Sequence, residues 1–215
     1  MHTQNDYINQ LVADLKPRKT LNNLYFWLYA LLCLLAFLVI ILASMGIRHD
    51  YPAAIKQGSI FWKSGIFLLV WLSSLMVIID ISRPTGKFIK THFVPFLLGL
   101  AILIWQYTYQ LYSASSRSFL AGISRDSSIL CITTITFGGL GAMALAWKYW
   151  LSQTASPYPK TLGAFTGLSA GSLVAGIYAL HCHHDAMAYI SIFYLMPIVF
   201  LILMGALLGH KMLQW

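Results

Sequence analysis

The sequence predicts an all-α membrane protein with six transmembrane helices, and three observations carry the prediction. Apolar residues make up 59% of the 215-residue chain and charged residues only 9%, where soluble domains carry about 25%. The apolar residues are gathered into six blocks, each close to the roughly 20 residues a helix needs to cross a bilayer core. None of the blocks alternates apolar and polar residues as a membrane-spanning strand does. In lipid every backbone N–H and C=O must be paired within the protein, so the blocks read as helices.

Residues 1–23 are mostly polar. Tyr7, Ile8, Leu11, Val12 and Leu15 nevertheless recur at spacings that place them on one stripe of a helix. Thr3 or Asn5 can cap its start, and Pro17 ends it, because the residue before a proline disfavours the α region. Lys16, Arg18 and Lys19 gather at that end. Two readings fit: an amphipathic helix lying on the inner leaflet, or a helix that docks into a groove on a cytoplasmic partner.

The six blocks cover residues 24–45, 60–82, 93–111, 128–150, 162–180 and 186–208. The first is too long for the apolar core of a signal peptide and should stay as an anchor. Two units follow from this layout: a cytoplasmic segment, 1–23, and a six-helix membrane domain, 24–215. With the N-terminus inside, the inner loops hold Lys16, Arg18, Lys19, Arg83, Lys87, Lys90, Lys148, Lys160 and Lys211. The outer loops then hold Arg48, Lys56, Lys63, Arg117 and Arg125. The excess of cations inside favours an N-in, C-in topology.

Gly163, Gly167, Gly171 and Ala175 repeat every four residues in the fifth block. Gly205 and Gly209 do so in the sixth, and Gly138, Gly139 and Gly141 cluster in the fourth. Small residues let helix backbones approach closely in a membrane, so these three helices should form a tight sub-bundle. Pro197 should kink the sixth helix. Trp27, Trp62, Trp147 and Trp150 lie near block ends, as interfacial anchors do. Lys63 is placed to snorkel. Asp80 and Arg83, three residues apart, should pair along the second helix.

The net charge of +8 is accounted for by loops that meet lipid headgroups. No basic cluster with interleaved aromatics points to direct nucleic-acid contact. No phosphate-binding, zinc-protease, hydrolase or dinucleotide motif occurs, and no cofactor is expected. No chain of acids or histidines crosses the middle of the bilayer, which argues against a proton-coupled pump.

The chemistry-bearing residues concentrate at His181-Cys-His-His-Asp185, the turn between the last two blocks. Cys131 lies at the same face of the membrane, whereas Cys33 sits mid-block as a small apolar residue. Three readings of Cys131 and Cys182 remain open on residue types alone: buried small residues, a disulfide in an oxidising compartment, or sensing thiols tuned by the histidines. His181, Cys182 and His184 also form a candidate set for transient metal binding, with Cys131 available from a second element. That set keeps a membrane redox or metal-handling enzyme, or a permease, as an alternative function.

Leu180-His-Cys182, Phe193-Tyr194 and Gly205-Ala-Leu-Leu-Gly-His-Lys-Met-Leu-Gln-Trp215 resemble the C-terminal signature of the NrsF-like membrane anti-sigma factors. The opening Ile8-Asn-Gln-Leu-Val-Ala-Asp-Leu-Lys-Pro17 is similar to that family's N-terminal pattern. The likeness covers the whole length, and Cys131 falls where the family carries a cysteine. Arg18 replaces the usual valine after the head proline, and His183-His-Asp185 replaces a common proline and acid. The resemblance implies a multi-pass protein of the bacterial inner membrane that is not an enzyme and holds an extracytoplasmic-function sigma factor inactive. It implies that Ile8, Leu11, Asp14, Leu15 and Pro17 contact that sigma factor. It also implies that Cys131 and Cys182 sense the metal or oxidative stress that releases it.

Overall fold

The computed structural model describes residues 22–113 and 125–212. The amphipathic segment with Ile8, Leu11, Asp14, Leu15 and Pro17 lies outside the described residues. So do Arg117 and the last three residues of the C-terminal signature.

Among the described residues every regular element is helical. The order is α1 (Asn23–Met45), α2 (Tyr51–Lys56), α3 (Ser59–Ile81), a 3₁₀ turn (Lys90–Phe93), α4 (Val94–Ser113), α5 (Arg125–Tyr149), a second 3₁₀ turn (Leu151–Gln153), α6 (Pro159–Tyr178), α7 (Met187–Phe193) and α8 (Leu195–Met212). Six of the helical stretches are long and apolar enough to cross a membrane: α1, α3, Lys90–Tyr109, Ser128–Gln153, α6 and Met187–Met212. They match the six blocks to within a few residues at each end.

The caps are local. The Asn22 side chain accepts from the Leu24 amide at 2.9 Å and starts α1. Gly46, at φ +74°, ends it in a conformation that a side chain would resist. Pro159 sits in the first turn of α6, where its missing N–H costs nothing.

α6 is the axle of the bundle. Of its apolar window 78% is buried, against 6% for the third span, which faces outward. The glycine stripe explains the difference. A Cβ at Gly163 would collide with the Gly205 carbonyl, and one at Gly167 with the Leu201 carbonyl. Gly209 meets Pro159 in the same way, and Gly171 rests on Leu201 and Ile198. α5 completes the sub-bundle through Gly138 on Val174 and Gly139 on Leu201. Gly141 is not part of it: nothing lies within 4 Å of where its side chain would be. On the opposite flank Gly176 lets α3 approach through Phe67 and Leu68.

Three local expectations are corrected. Trp150 is no interfacial anchor. It is buried against Phe26, with ring centroids 4.6 Å apart, and donates to the Ser82 hydroxyl at 3.2 Å. Arg83 does not pair with Asp80; it reaches Asn23 at 2.9 Å, and Asp80 pairs with His92 instead. The sixth span is broken rather than smoothly kinked, with the interruption at Tyr194. Pro197 supplies no N–H to the Phe193 carbonyl four residues earlier and its ring crowds that carbonyl.

The glycine contacts are testable. Gly167→Val should force α6 and α8 apart and cost on the order of 1–3 kcal/mol, read as a lower melting temperature in detergent. Gly141→Ala should leave the melting temperature unchanged or slightly raised, because its site is open.

Candidate functional site

The α6–α7 connection, residues 179–186, packs beside the α1–α2–α3 connection at one end of the bundle. Two buried cations hold it there. The first is Lys63, one turn into α3, whose side chain is 0% exposed. Its Nζ donates to the carbonyls of Cys182 at 3.1 Å and His184 at 2.6 Å, and to the Asp185 carboxylate at 3.4 Å. An ammonium has three protons, and each has an acceptor here. The ammonium also stands 5.2 Å over the Tyr194 ring, a favourable place for a cation. Lys63 therefore does not snorkel; it turns inward.

The second cation is Arg48, 2% exposed at its side chain. Its fork grips Asp50 through two bonds of 2.6 Å and Asp185 through bonds of 3.2 and 3.0 Å. It also donates to the His183 carbonyl at 3.4 Å. The Arg48 amide and the His181 ring add backbone ties, to the carbonyls of Leu180 and Gly46 respectively. Donating to Asp50 raises the Arg48 pKa above its ordinary value, and Arg48 in turn holds Asp50 down to about 2. The two buried cations thus face two carboxylates, Asp185 partly exposed and Asp50 half-exposed, one charge against each.

The thiols lie directly beneath. Cys131 on α5 is fully buried, and its Sγ is 3.9 Å from the Sγ of Cys182. The hydroxyl of Tyr189 is 3.0 Å from the Cys131 sulfur and that of Tyr178 is 3.4 Å away. Tyr194, at the α7–α8 break, presents a third buried hydroxyl on the Cys182 side of the pair. Both cysteines carry free thiols. A disulfide has its sulfurs about 2.0 Å apart, so closing one here requires roughly 2 Å of sulfur movement.

The Cys182 thiolate is favoured, and its pKa falls below the usual thiol range. The hydrogen bond shared with Cys131 is the largest cause; burial opposes it, and the Lys63 charge, Tyr194 hydroxyl and His184 amide add to it. Burial pushes the His184 pKa down, which favours the neutral ring.

Of the sites predicted from sequence, Cys131 and Cys182 are brought together. The candidate metal set is not. His181 turns to Gly46, while His184 stacks between His183 and Tyr189, at 4.2 and 4.5 Å. Among the described residues no group of three or more His, Cys, Asp or Glu side chains is arranged to hold a metal ion. Cys33 lies apart, half-buried on α1. Lys63, Arg48 and the three tyrosines were missed as site residues from sequence. Lys63 shares a helical face with Ile60 and Phe67, both core residues, but in an all-apolar block nothing in the sequence marks that face as the buried one.

These features define a class: an all-helical protein with six membrane-length helices and a thiol pair under an ionic clamp. Comparison with known sequences supplies the family. The chain matches the family described as negative regulator of sigma F, NrsF, over residues 11–215, and it belongs to that family. It is 30% identical over 182 residues to the probable anti-sigma-F factor NrsF of Azospira oryzae, covering 82% of each chain. It is 26% identical to the anti-sigma-F factor NrsF of Caulobacter vibrioides, covering 84% of each. Both relatives are named as regulators, not enzymes. No solved structure matches the chain.

Two measurements probe the site. Cys182 is only 3% exposed, so its alkylation by iodoacetamide should be slow, but the rate should hold at pH values well under the ordinary thiol pKa of about 8.5, because only the thiolate reacts. A rate profile centred at or above that value would refute the favoured thiolate. Asp185→Asn leaves both cations with one carboxylate between them. It should destabilise the fold by about 3–5 kcal/mol, seen as a lower melting temperature in detergent.

Proposed function

We propose that this protein is a membrane-bound anti-sigma factor that sequesters an extracytoplasmic-function sigma factor at the inner membrane of a bacterium. An oxidant or thiophilic metal ion reaching Cys131 and Cys182 triggers its release. The observation that carries the sensing half is the 3.9 Å approach of two free thiols drawn from different helices, beneath a buried ionic clamp. Buried cysteines with only a packing role have no need of three tyrosine hydroxyls around them. In the oxidative case the two thiols form one S–S bond and give up two electrons and two protons. Hydrogen peroxide takes these and leaves as two waters.

Residues 1–23 form the cytoplasmic arm in this reading, with the remainder as the membrane domain in an N-in, C-in topology. Ile8, Leu11 and Leu15 present the apolar stripe to the sigma factor, and Asp14 and Pro17 complete the contact. The sigma-F regulators named above support this choice of partner. Thiol chemistry matters only if it favours one of two packings of the bundle, and Cys131 on α5 and Cys182 beyond α6 report on the α5–α6 packing.

Two genetic tests separate the halves of the proposal. A chain with Cys131→Ser and Cys182→Ser should keep the sigma factor silent but lose induction of a sigma-dependent reporter by peroxide or cadmium. Full induction in that strain would remove the thiols from the mechanism. Leu11→Asp with Leu15→Asp should free the sigma factor without any stress. Continued co-purification of the two proteins would exclude docking through the N-terminal stripe.

A further inference from the structure

We infer that Lys63 is a positioning residue for the thiol pair: its buried ammonium pins the backbone that leaves Cys182 and so holds that sulfur against Cys131. This rests on the reading of Cys131 and Cys182 as the reacting pair, and goes further by assigning the residue that determines whether they react with each other.

The turn from Leu180 to Ala186 has little regular structure. A loop of that kind adopts many conformations unless something fixes it. Lys63 reaches it from α3, a helix well buried in the bundle. Its bonds go to the carbonyl of Cys182 itself and to that of His184, two residues on. Both carbonyls follow the Cα of Cys182; ahead of it the Cys182 amide donates to the Tyr178 carbonyl at 3.1 Å, so the end of α6 and Lys63 together hold that Cα, with the sulfur facing Cys131 on α5. Asp185 closes the arrangement by holding Lys63 and Arg48 together. Arg48 acts one step away, on His183 and Asp185.

The consequence concerns the second of two chemical steps. A small disulfide such as bis(2-hydroxyethyl) disulfide is attacked by the Cys182 thiolate. One S–S bond forms, the reagent's bond breaks, and one mercaptoethanol leaves with a proton. Cys131 then attacks the Cys182 sulfur of the mixed disulfide. The protein disulfide forms, the second mercaptoethanol leaves, and the reagent has taken two electrons in all. Attack over about 4 Å is fast only when the partners are held in place. Lys63 supplies that hold, so its loss should leave the mixed disulfide stranded.

The test uses the full chain purified in detergent, with helix content and melting recorded for every variant. After exposure to bis(2-hydroxyethyl) disulfide, mass spectrometry gives the ratio of Cys131–Cys182 disulfide to mixed disulfide on Cys182. The wild type should go almost wholly to the protein disulfide. Lys63→Met should lower the ratio about tenfold, the scale of losing a hydrogen bond from a charged donor. Lys63→Arg, which keeps a buried donor, should restore most of it. Should Lys63→Met fail to accumulate, Lys63→Gln, with a single amide donor, is read by the same criterion. A wild-type ratio in folded Lys63→Met or Lys63→Gln overturns the role of Lys63 and leaves the thiol pair standing. Failure of the wild type to form the Cys131–Cys182 disulfide overturns the sensing pair, and the role of Lys63 with it.

Discussion

A charge cannot be left alone inside a membrane protein. Removing an ammonium from water costs several kcal/mol even after relaxation, and only close counter-charges and hydrogen bonds offset it. Lys63 and Arg48 meet this constraint through one shared carboxylate, Asp185, and one private one, Asp50. The local architecture follows from that arrangement. The α6–α7 turn must fold over Lys63 to offer its carbonyls. The α1–α2 connection must bring Arg48 back beneath the turn, and α3 must rotate its one lysine inward. Cys182 is then carried into a place where α5 offers Cys131. The thiol pair therefore sits on a turn that the ionic clamp and the end of α6 both hold.

Most of the fold was legible from the chain. The six spans follow from block length, and the α5–α6–α8 sub-bundle follows from the spacing of its glycines, because a missing Cβ at every fourth residue has one strong structural meaning. What local rules could not supply was direction around each helix axis. Lys63 near a block end fits snorkelling and inward burial equally well until its acceptors are known, and those lie 119 and more residues away. Trp150 fits an interfacial belt equally well until Ser82 and Phe26 come to meet it. Asp80 has Arg83 at helical spacing, yet the helix ends at Ile81. Arg83 is therefore free to leave the helical register, and His92 takes its place at Asp80.

The candidate site shows the same division. Cys131 and Cys182 could be paired by face and by family likeness. The histidines drew attention by their density, but density along a chain is not convergence in space. Consecutive residues in an irregular turn point in different directions, so His181 and His184 finish against different neighbours. The tyrosines that do surround the sulfurs are scattered at Tyr178, Tyr189 and Tyr194, two of them beyond the turn, and carry no mutual pattern in sequence.

The glycine contacts between α6 and α8 have a mechanical consequence. Of these, Gly171 rests on Leu201 and Ile198, while the tightest, at Gly163, Gly167, Gly205 and Gly209, meet backbone carbonyls and lie toward the end of the pair remote from the thiols. There the two backbones touch with nothing compressible between them. Toward the other end the side chains grow large, and α7 is severed from α8 at Tyr194. The pair is built like a set of dividers: a stiff joint at Gly163 and Gly205, and two arms whose tips are Tyr178 and Met187. The glycine end resists sliding of one backbone past the other, so any rearrangement of the α6–α7 turn is confined to the open end of the pair.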